Sequence, residues 1–379
     1  MKKCGILTFH RSHNCGSMLQ AYAIQKIISQ LNTRGGVEII DFNNSSQRNL
    51  YQIFHWNFDL KEFIKNIILC KHYFSLSKNY QAYETFISEN FKLSKRYLIA
   101  SDLCDENYEK IVVGSDQIWN ITIADNDDAY FLPWVKQSVK VAYAPSFGSK
   151  NPIKYSVNID KYKRWLEDFN YLSIREDNGK LWINQLINKT VPVLLDPTLL
   201  LSDTDYSPII SDELILPKSY IFYYAPQYNS DVTNLVKSIS HKYRLPVIAF
   251  NARRFYLRFL NYRTDFTLPA IEHPGTYLQL IKNATLVVTT SFHGTIFSSI
   301  FKKNFWTIKN EGMYEDDDRV ISLAKRLDLE DRIISTNYSD SMDYLEKKDF
   351  SNYDKLLRVY KEESLSFLRS ALNHGDSEN

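Results

Sequence analysis

The sequence lacks any uninterrupted run of about 18 apolar residues, the length that a membrane-spanning helix needs. The apolar run near its N-terminus is too short for a signal peptide. Cysteine is scarce, with four residues in 379 and no C-x-x-C spacing, which excludes a disulfide framework. We therefore expect a reduced, cytoplasmic protein.

An excess of charge of one sign is also missing, because 46 Lys and Arg stand against 44 Asp and Glu. A nucleic-acid partner requires a concentrated basic face, so we expect none. Neither G-x-G-x-x-G nor G-x-x-x-x-G-K-[ST] occurs, which removes the main support for a dinucleotide or P-loop site. The 44% apolar and 24% charged residues are ordinary for a globular protein, and the length suggests two domains of about 100–200 residues each.

Short β-rich runs alternate with polar loops and helical periods, a pattern typical of βαβ units and a parallel sheet. The first half predicts strands at 3–9, 37–42, 111–114, 139–144, 171–174 and 191–195, and helices at 18–31 and 60–91. The second half predicts strands at 220–224, 246–250, 286–290 and 304–308, and helices at 230–242, 277–282, 295–301 and 319–327. A charged amphipathic helix at 353–372 is predicted to pack across both halves.

These elements predict an α/β fold of two Rossmann-like domains that face each other across a cleft, as in GT-B glycosyltransferases, each with a parallel sheet flanked by helices. A polar stretch between Leu201 and Ser219 marks the boundary, so we place the domains at 1–205 and 206–345, followed by a helix and tail at 346–379. Ligands of open α/β sheets bind beyond the carboxyl ends of strands, which makes the residues that follow predicted strands the candidate site residues.

The strongest candidate site follows the predicted strand at 286–290. Thr290 and Ser291 are suited to cap the next helix, and Gly294 lets backbone amides approach a ligand closely. Unpaired N–H groups at a helix start favour an anion, and His293 beside them can donate a proton near neutral pH. The alternative is a simple cap with a packed imidazole.

Two further clusters follow predicted strands. Arg175 offers a planar fork for a carboxylate or a phosphate, with a surface Arg–Glu pair as the alternative. Asp116 and Asn120 are suited to sugar hydroxyls and Trp119 to the face of a sugar ring, with an Asx turn and a core tryptophan as the alternative.

The first β–α loop is interpreted as a polar loop that lines a ligand. It carries His10, His13, Asn14, Cys15, Gly16 and Gln20. The spacing of its His and Cys residues fits no tetrahedral metal site, and the acidic run at 315–318 is more typical of a solvated loop. We therefore predict no metal.

The segment 60–78 mixes apolar residues with four lysines. We interpret it as a helix that faces the core with one side and carries a solvated basic side. The alternative is an interfacial helix in peripheral contact with a membrane, such as the inner face of the cell membrane.

Together these motifs resemble the polysaccharide pyruvyl transferase family up to about Ile334. The segments that carry the resemblance occur in the family's order: Asn14-Cys15-Gly16-Ser17-Met18-Leu19-Gln20-Ala21-Tyr22-Ala23, Gly114-Ser115-Asp116-Gln117-Ile118-Trp119, Ser173-Ile174-Arg175-Glu176, Leu195-Asp196-Pro197-Thr198 and Ser291-Phe292-His293-Gly294.

The resemblance implies transfer of an enolpyruvyl unit from phosphoenolpyruvate to sugar hydroxyls, giving a pyruvate ketal, without a further cofactor. His293 then matches the family's proton donor, and Arg175 the arginine that holds the anionic groups of the donor. Asp116 is our candidate for orienting or deprotonating the attacking hydroxyl. The substrate-binding candidates are Thr290, Ser291, Phe292, Gly294, Thr295, Asn14, Gly16, Gln20, Ser115, Trp119, Asn120, Arg253 and Arg254.

Ser291 departs from the family pattern, because many members carry an arginine two positions before the histidine. We expect the charge of the donor to be met instead by Arg253, Arg254, Lys302 or Lys303.

The expected acceptor is a hexose of a bacterial surface polysaccharide or of its lipid-linked precursor, bound by the N-terminal domain, with phosphoenolpyruvate on the C-terminal one. Competing hypotheses are a nucleotide-sugar glycosyltransferase of the GT-B type and a non-catalytic glycan-binding relative.

Overall fold

The computed structural model describes residues 2–32, 35–55, 59–258, 260, 263–309 and 318–373. Its strands are β1 (Lys3–Leu7), β2 (Val37–Phe42), β3 (Leu93–Tyr97), β4 (Tyr108–Val113), β5 (Val139–Ala142), β6 (Tyr171–Leu172), β7 (Ile221–Tyr224), β8 (Val247–Ala249), β9 (Leu286–Thr289), β10 (Phe305–Ile308) and β11 (Ile333–Ile334). Its α-helices are α1 (Cys15–Leu31), α2 (Ser45–Leu50), α3 (Leu60–Cys70), α4 (Tyr73–Asn90), α5 (Pro152–Tyr155), α6 (Ile159–Glu167), α7 (Asp177–Ile187), α8 (Asp203–Tyr206), α9 (Ser230–Tyr243), α10 (Ala252–Leu257), α11 (Pro274–Asn283), α12 (Phe292–Ile300), α13 (Arg319–Leu327) and α14 (Ser351–Leu372).

The first sheet has the strand order β3-β2-β1-β4-β5-β6, and its neighbouring strands pair in parallel. The chain progresses outward from β1 in one direction and from β4 in the other. Such a reversal point is where open α/β sheets bind ligands. Leu7 pairs with Val113, so the loops after β1 and β4 begin side by side.

The second sheet has the order β11-β10-β9-β7-β8 and is also parallel. Its reversal point lies between β7 and β9, where Tyr224 pairs with Thr289. The predicted fold, two parallel sheets flanked by helices, is confirmed. The residue boundaries given to the two domains stay a prediction, with the first sheet drawing on residues 3–172 and the second on 221–334.

Two predicted elements differ from the structure, and several observed elements, such as α6 and α7, have no predicted counterpart. The strand predicted at 191–195 is wrong, because Val193 makes only a single bridge to Ile174 and the adjacent Pro192 has no N–H with which to continue a ladder. The helix predicted at 60–91 is two helices, α3 and α4. The edge strand β3 has no counterpart among the predicted strands, because Lys95 and Arg96 interrupt its apolar pattern.

The prediction that the C-terminal helix packs across both halves is confirmed. The backbone N–H of Leu195 donates to Ser364 of α14, and the Phe367 ring contacts Tyr143. Tyr353 at the other end of α14 hydrogen-bonds Ser299 of α12. One apolar core therefore runs from the first sheet through α14 to the second. No helix in the part of the chain that the structure describes is long and apolar enough to cross a membrane.

Leu368 and Val359 lie on the same helix but differ in exposure, since Leu368 is fully buried and Val359 is 64% exposed. We expect Leu368→Ala to lower the free energy of unfolding by about 2–5 kcal/mol, because it leaves a cavity in the shared core. Val359→Ala should change it by less than about 0.5 kcal/mol. Denaturant unfolding measures both changes in the free energy of unfolding. Equal changes in the two variants would contradict the role of α14 in the core.

Candidate functional site

The two reversal points border one cavity of about 920 Å³. The loops after β1 and β4 form one side of its wall, and the loops after β7 and β9 form the other. The residues that these four loops and the helix starts place at the wall include Phe9, His13, Asn14, Asp116, Gln117, Pro226, Gln227, Thr290, Ser291, Phe292 and His293. The cavity therefore lies where the strand-end rule predicts a ligand site.

His293 lies in the first turn of α12, which Ser291 caps by accepting a hydrogen bond from the N–H of Gly294. Its Nε2 is 3.4 Å from Oδ2 of Asp196, within ion-pair distance but not aligned for a hydrogen bond. Gly16 packs on the other side of the ring, where an added Cβ would lie 2.2 Å from Nδ1. Gly16, predicted to bind substrate, thus makes room for the imidazole instead.

Asp196 is fully buried, and both of its carboxylate oxygens accept hydrogen bonds. Nη1 of Arg175 donates to Oδ2 at 2.8 Å, and the N–H and hydroxyl of Thr198 donate to Oδ1 at 3.0 and 2.7 Å. Although burial alone raises the pKa of a carboxyl, His293 and Arg175 hold the pKa of Asp196 well below its usual range. Asp196 is therefore a carboxylate at neutral pH and orients the imidazole. It belongs to one of the family segments, but the sequence pattern around it predicts no role for it.

Arg175 does not reach the cavity in this structure, which corrects the prediction that it holds an anionic donor directly. Its side chain is 2% exposed and lies behind Phe292, with the guanidinium carbon 4.5 Å from the ring centroid. Nε and Nη2 are buried without a hydrogen-bond partner among the described residues. The observed role of Arg175 is to hold Asp196.

The start of α12 presents hydrogen-bond donors to the cavity. Among the described residues, none accepts a hydrogen bond from the backbone N–H groups of Phe292 and His293, and none forms a hydrogen bond with the buried hydroxyl of Thr290. Together with the positive end of the helix, these groups form the kind of anion site that the sequence predicts.

Basic side chains also line the cavity. Arg254 and Arg253 lie at the wall as predicted, although Arg253 already donates to the carbonyl groups of Leu50 and Gln52. Lys309, which follows β10, and Arg319, which begins α13, also line the wall. The strand-end rule could have identified Lys309, whereas the position of Arg319 depends on tertiary packing.

Two other predicted cations lie away from the cavity wall. Lys302 pairs with Asp354 of α14, and Lys303 is not at the wall, so neither replaces the arginine that Ser291 lacks.

The prediction that Trp119 stacks on a sugar is wrong. Trp119 is fully buried, its ring stacks on Phe131 at a centroid distance of 5.1 Å, and its Nε1 donates to the carbonyl oxygen of Tyr130. Asn120 is also buried, and its side-chain oxygen accepts from the backbone N–H and the hydroxyl of Thr122. Both residues stabilise the loop after β4.

Four more predicted binding residues prove to be packing residues. The N–H of Ser115 donates to Gln20, which joins α1 to the end of β4. An added Cβ on Gly294 would lie 2.3 Å from Oγ1 of Thr289, so this glycine allows α12 to approach β9. Thr295 hydrogen-bonds Thr307 at 2.7 Å. Asn14, by contrast, lies at the wall, where it also caps α1.

Three carboxyl groups, those of Asp116, Asp125 and Glu272, also line the wall. Asp116 accepts a hydrogen bond from Ser17 at 2.5 Å. Burial, with a smaller effect of Asp116, raises the pKa of Asp125 to about 6. Burial raises the pKa of Glu272 to about 7, although both of its oxygens accept from the N–H of Ala252. Asp125 and Glu272 follow no predicted strand, and no local signal in the sequence identifies them.

Aromatic rings surround His13, which lies at the cavity wall. Its ring stacks on Tyr83 at 4.9 Å and meets Tyr80 edge-on at 4.6 Å, while its Nε2 is 2.9 Å from Glu84. The thiol of Cys15 is hydrogen-bonded to the hydroxyl of Tyr83, and burial raises the pKa of this thiol. Both observations argue against Cys15 as a nucleophile.

Residues 2–32, 35–55, 59–258, 260, 263–309 and 318–373 contain no group of three or more His, Cys, Asp or Glu suited to a metal. Glu315, Asp316 and Asp317 lie outside the described residues.

The family model described as polysaccharide pyruvyl transferase matches residues 14–312. The chain belongs to this family. The members of this family are transferases, and the family's description names polysaccharides. No curated protein matches the chain in sequence.

Solved structures with a similar arrangement have low sequence identity. UDP-N-acetylglucosamine 2-epimerase from Rickettsia bellii is 11% identical over 100% of this chain and 99% of that chain, with a TM-score of 0.48. The UDP-GlcNAc 2-epimerase from Neisseria meningitidis is 11% identical over 98% and 94%, with a TM-score of 0.46. A heptosyltransferase from E. coli is 7% identical over 82% and 89%, with a TM-score of 0.39. At these identities the likeness says nothing about activity.

Glu272 gives the stability of the fold a pH dependence. Because its pKa is about 7, the folded protein keeps a proton that the unfolded chain, with a pKa of about 4.3, has lost, so stability falls as pH rises between these values. We expect Glu272→Gln, which cannot ionise, to reduce this slope and to be more stable than the unmodified protein by about 3 kcal/mol near pH 8. Urea unfolding at several pH values measures the slope.

The control for this prediction is Glu363→Gln, which removes an exposed carboxylate on α14. It should leave the slope unchanged. If the free energy of unfolding of the Glu272 variant fell with pH as steeply as that of the unmodified protein, this would contradict a protonated, buried Glu272.

Proposed function

We propose that this protein transfers a pyruvyl unit from phosphoenolpyruvate to hydroxyls of a hexose in a bacterial surface polysaccharide or its precursor, forming a pyruvate ketal. The observation that carries the proposal is an imidazole, His293, held by the buried Asp196–Arg175 pair at a helix start on the cavity wall, in a chain that belongs to this family.

The start of α12 supports binding of the donor. Phosphoenolpyruvate carries a carboxylate and a phosphate, and it therefore needs several donors and cations in one place. The N–H groups of Phe292 and His293 and the hydroxyl of Thr290 supply neutral donors, and Arg254 and Lys309 supply charge. These two side chains take the role of the arginine that Ser291 replaces.

The reaction needs an acid and a base. The protonated imidazole of His293 gives a proton to the methylene carbon of the donor, which leaves a cation at the carbon that bears the phosphate. A sugar hydroxyl bonds to that carbon and releases its proton, and phosphate leaves with the C–O electron pair. A second hydroxyl then bonds to the same carbon and closes the ketal, releasing its proton as well. One of the two protons returns to His293 and the other leaves with the phosphate. The products balance as ketal plus phosphate. A positioned acid contributes about 10²–10⁴-fold to such a step.

The carboxyl groups and tyrosine rings of the wall support binding of the acceptor. Asp116 and Asp125 are the carboxylates that can take the hydroxyl proton, and a pKa of about 6 at Asp125 suits a base near neutral pH. Tyr51 and Tyr80 offer ring faces for a hexose, the role that the sequence pattern predicted for Trp119.

We expect His293→Gln to lower kcat by about 10²–10⁴-fold, because glutamine keeps the polarity of the site but cannot donate a proton. The measurement is phosphate release from phosphoenolpyruvate together with the mass of the product, using a panel of hexose-containing acceptors. His241→Gln, on the exposed end of α9, is the matched control and should keep full turnover. Full turnover in the His293 variant, or turnover with a nucleotide sugar instead of phosphoenolpyruvate, would contradict the proposal.

Asp196 is a positioning residue in this scheme. Asp196→Asn removes the negative charge beside Nε2 while keeping the shape of the side chain, so the protonated imidazole is less stabilised. We expect kcat to fall at least about tenfold with KM for phosphoenolpyruvate little changed, and the alkaline decline in kcat to move to lower pH. A pH–rate profile measures this, and a drop in activity without a shift in the profile would indicate a merely structural role.

A further inference from the structure

We propose that the outer face of α3, together with the beginning of α4, docks on an anionic phospholipid membrane. This face is termed the outer stripe and consists of five exposed apolar residues. They are Leu60 (71% exposed), Phe63 (60%), Ile64 (50%), Ile67 (49%) and Phe74 (89%). The four on α3 repeat at the i, i+3, i+4, i+7 spacing that places them on one side of a helix.

The outer stripe is not needed for the packing of the fold. The opposite side of these helices carries Leu69 and Leu76, which are buried against Ala252 of α10. The interpretation of 60–78 as a core-facing helix is therefore correct for that inner side alone, because its outer side is apolar as well. A contiguous exposed apolar face of this kind marks an interaction surface.

The charges around the outer stripe favour an anionic membrane. Lys61, Lys71 and Lys78 are exposed on the same segment, whereas the carboxylate of Glu62 is paired with Lys65. Between residues 59 and 78, four lysines stand against two acidic residues, an excess of two positive charges. Apolar side chains with phenylalanine, flanked by lysines, are the composition of helices that lie in a membrane interface. A symmetric contact between two copies would bring the same lysines together and repel.

The helices that carry the outer stripe lie next to the cavity through their inner side. Leu76 and Asn79 of α4 lie at the cavity wall, and α3 packs on α10, which carries Arg253 and Arg254. A docked molecule therefore holds its cavity close to the membrane surface. If the proposed function holds, an acceptor anchored in the membrane would be within reach, but the docking itself does not depend on that function.

Sedimentation with vesicles tests the docking without any measurement of activity. We expect the full chain to bind vesicles of phosphatidylcholine containing phosphatidylglycerol, to bind phosphatidylcholine alone more weakly, and to lose binding as salt is raised. The double variant Phe63→Glu with Ile67→Glu should bind at least about tenfold more weakly, because burial of two apolar side chains is lost. Ile215→Glu, which alters another fully exposed apolar residue, is the matched control and should bind like the unmodified protein.

Circular dichroism would show that the double variant is folded, as expected for substitutions at exposed positions. Unchanged vesicle binding by a folded double variant would overturn the proposal. So would a chain that binds no vesicles but forms a dimer that the double variant abolishes, since a second copy would then be the occupant. Lys71→Glu, expected to weaken binding to phosphatidylglycerol vesicles only, separates the contribution of charge from that of apolar burial.

Discussion

A buried carboxylate, Asp196, is the group on which the candidate site depends. An unpaired charge in the interior of a protein costs several kcal/mol, so Asp196 requires its partners. Arg175 and Thr198 supply them from the same half of the chain, and His293 supplies one from the other half. Because Asp196 must be paired, it also fixes the position of the imidazole, and the geometry of the site therefore depends on the contact between the two halves of the chain.

The cavity wall carries charged groups of both signs. Lys309 and Arg254 are cationic, and Asp116 and Asp125 carry carboxyl groups. A ligand that has both anionic groups and hydroxyl groups would therefore find partners for both within one cavity.

Local patterns in the sequence are sufficient to predict the parallel sheets, most of their strands, and the placement of His293 at a capped helix start. Each of these features depends on a few neighbouring residues. Trp119 was misassigned because the same residues suit a sugar face and a core, and only packing against Phe131 distinguishes the two. Arg175 was placed at the end of the right strand, but whether it points to the cavity or to Asp196 depends on a loop about twenty residues away. Glu272 reaches the wall through tertiary contacts that no local pattern reveals.

The contact of Gly16 with the His293 ring has a consequence for how such a molecule could open. The start of α1 and the carboxylate of Asp196 enclose the imidazole from two sides, and both belong to the first half of the chain, whereas the imidazole belongs to the second. A hinge motion that separated the two halves would remove the contacts with Gly16 and Asp196 at the same time. The side chain of His293 would then be mobile and exposed to water, and its proton would exchange with solvent before a substrate was bound. In the proposed reaction, an acid that depends on both halves for its position would act only while the halves are together, so closure of the molecule and proton transfer would occur as one event.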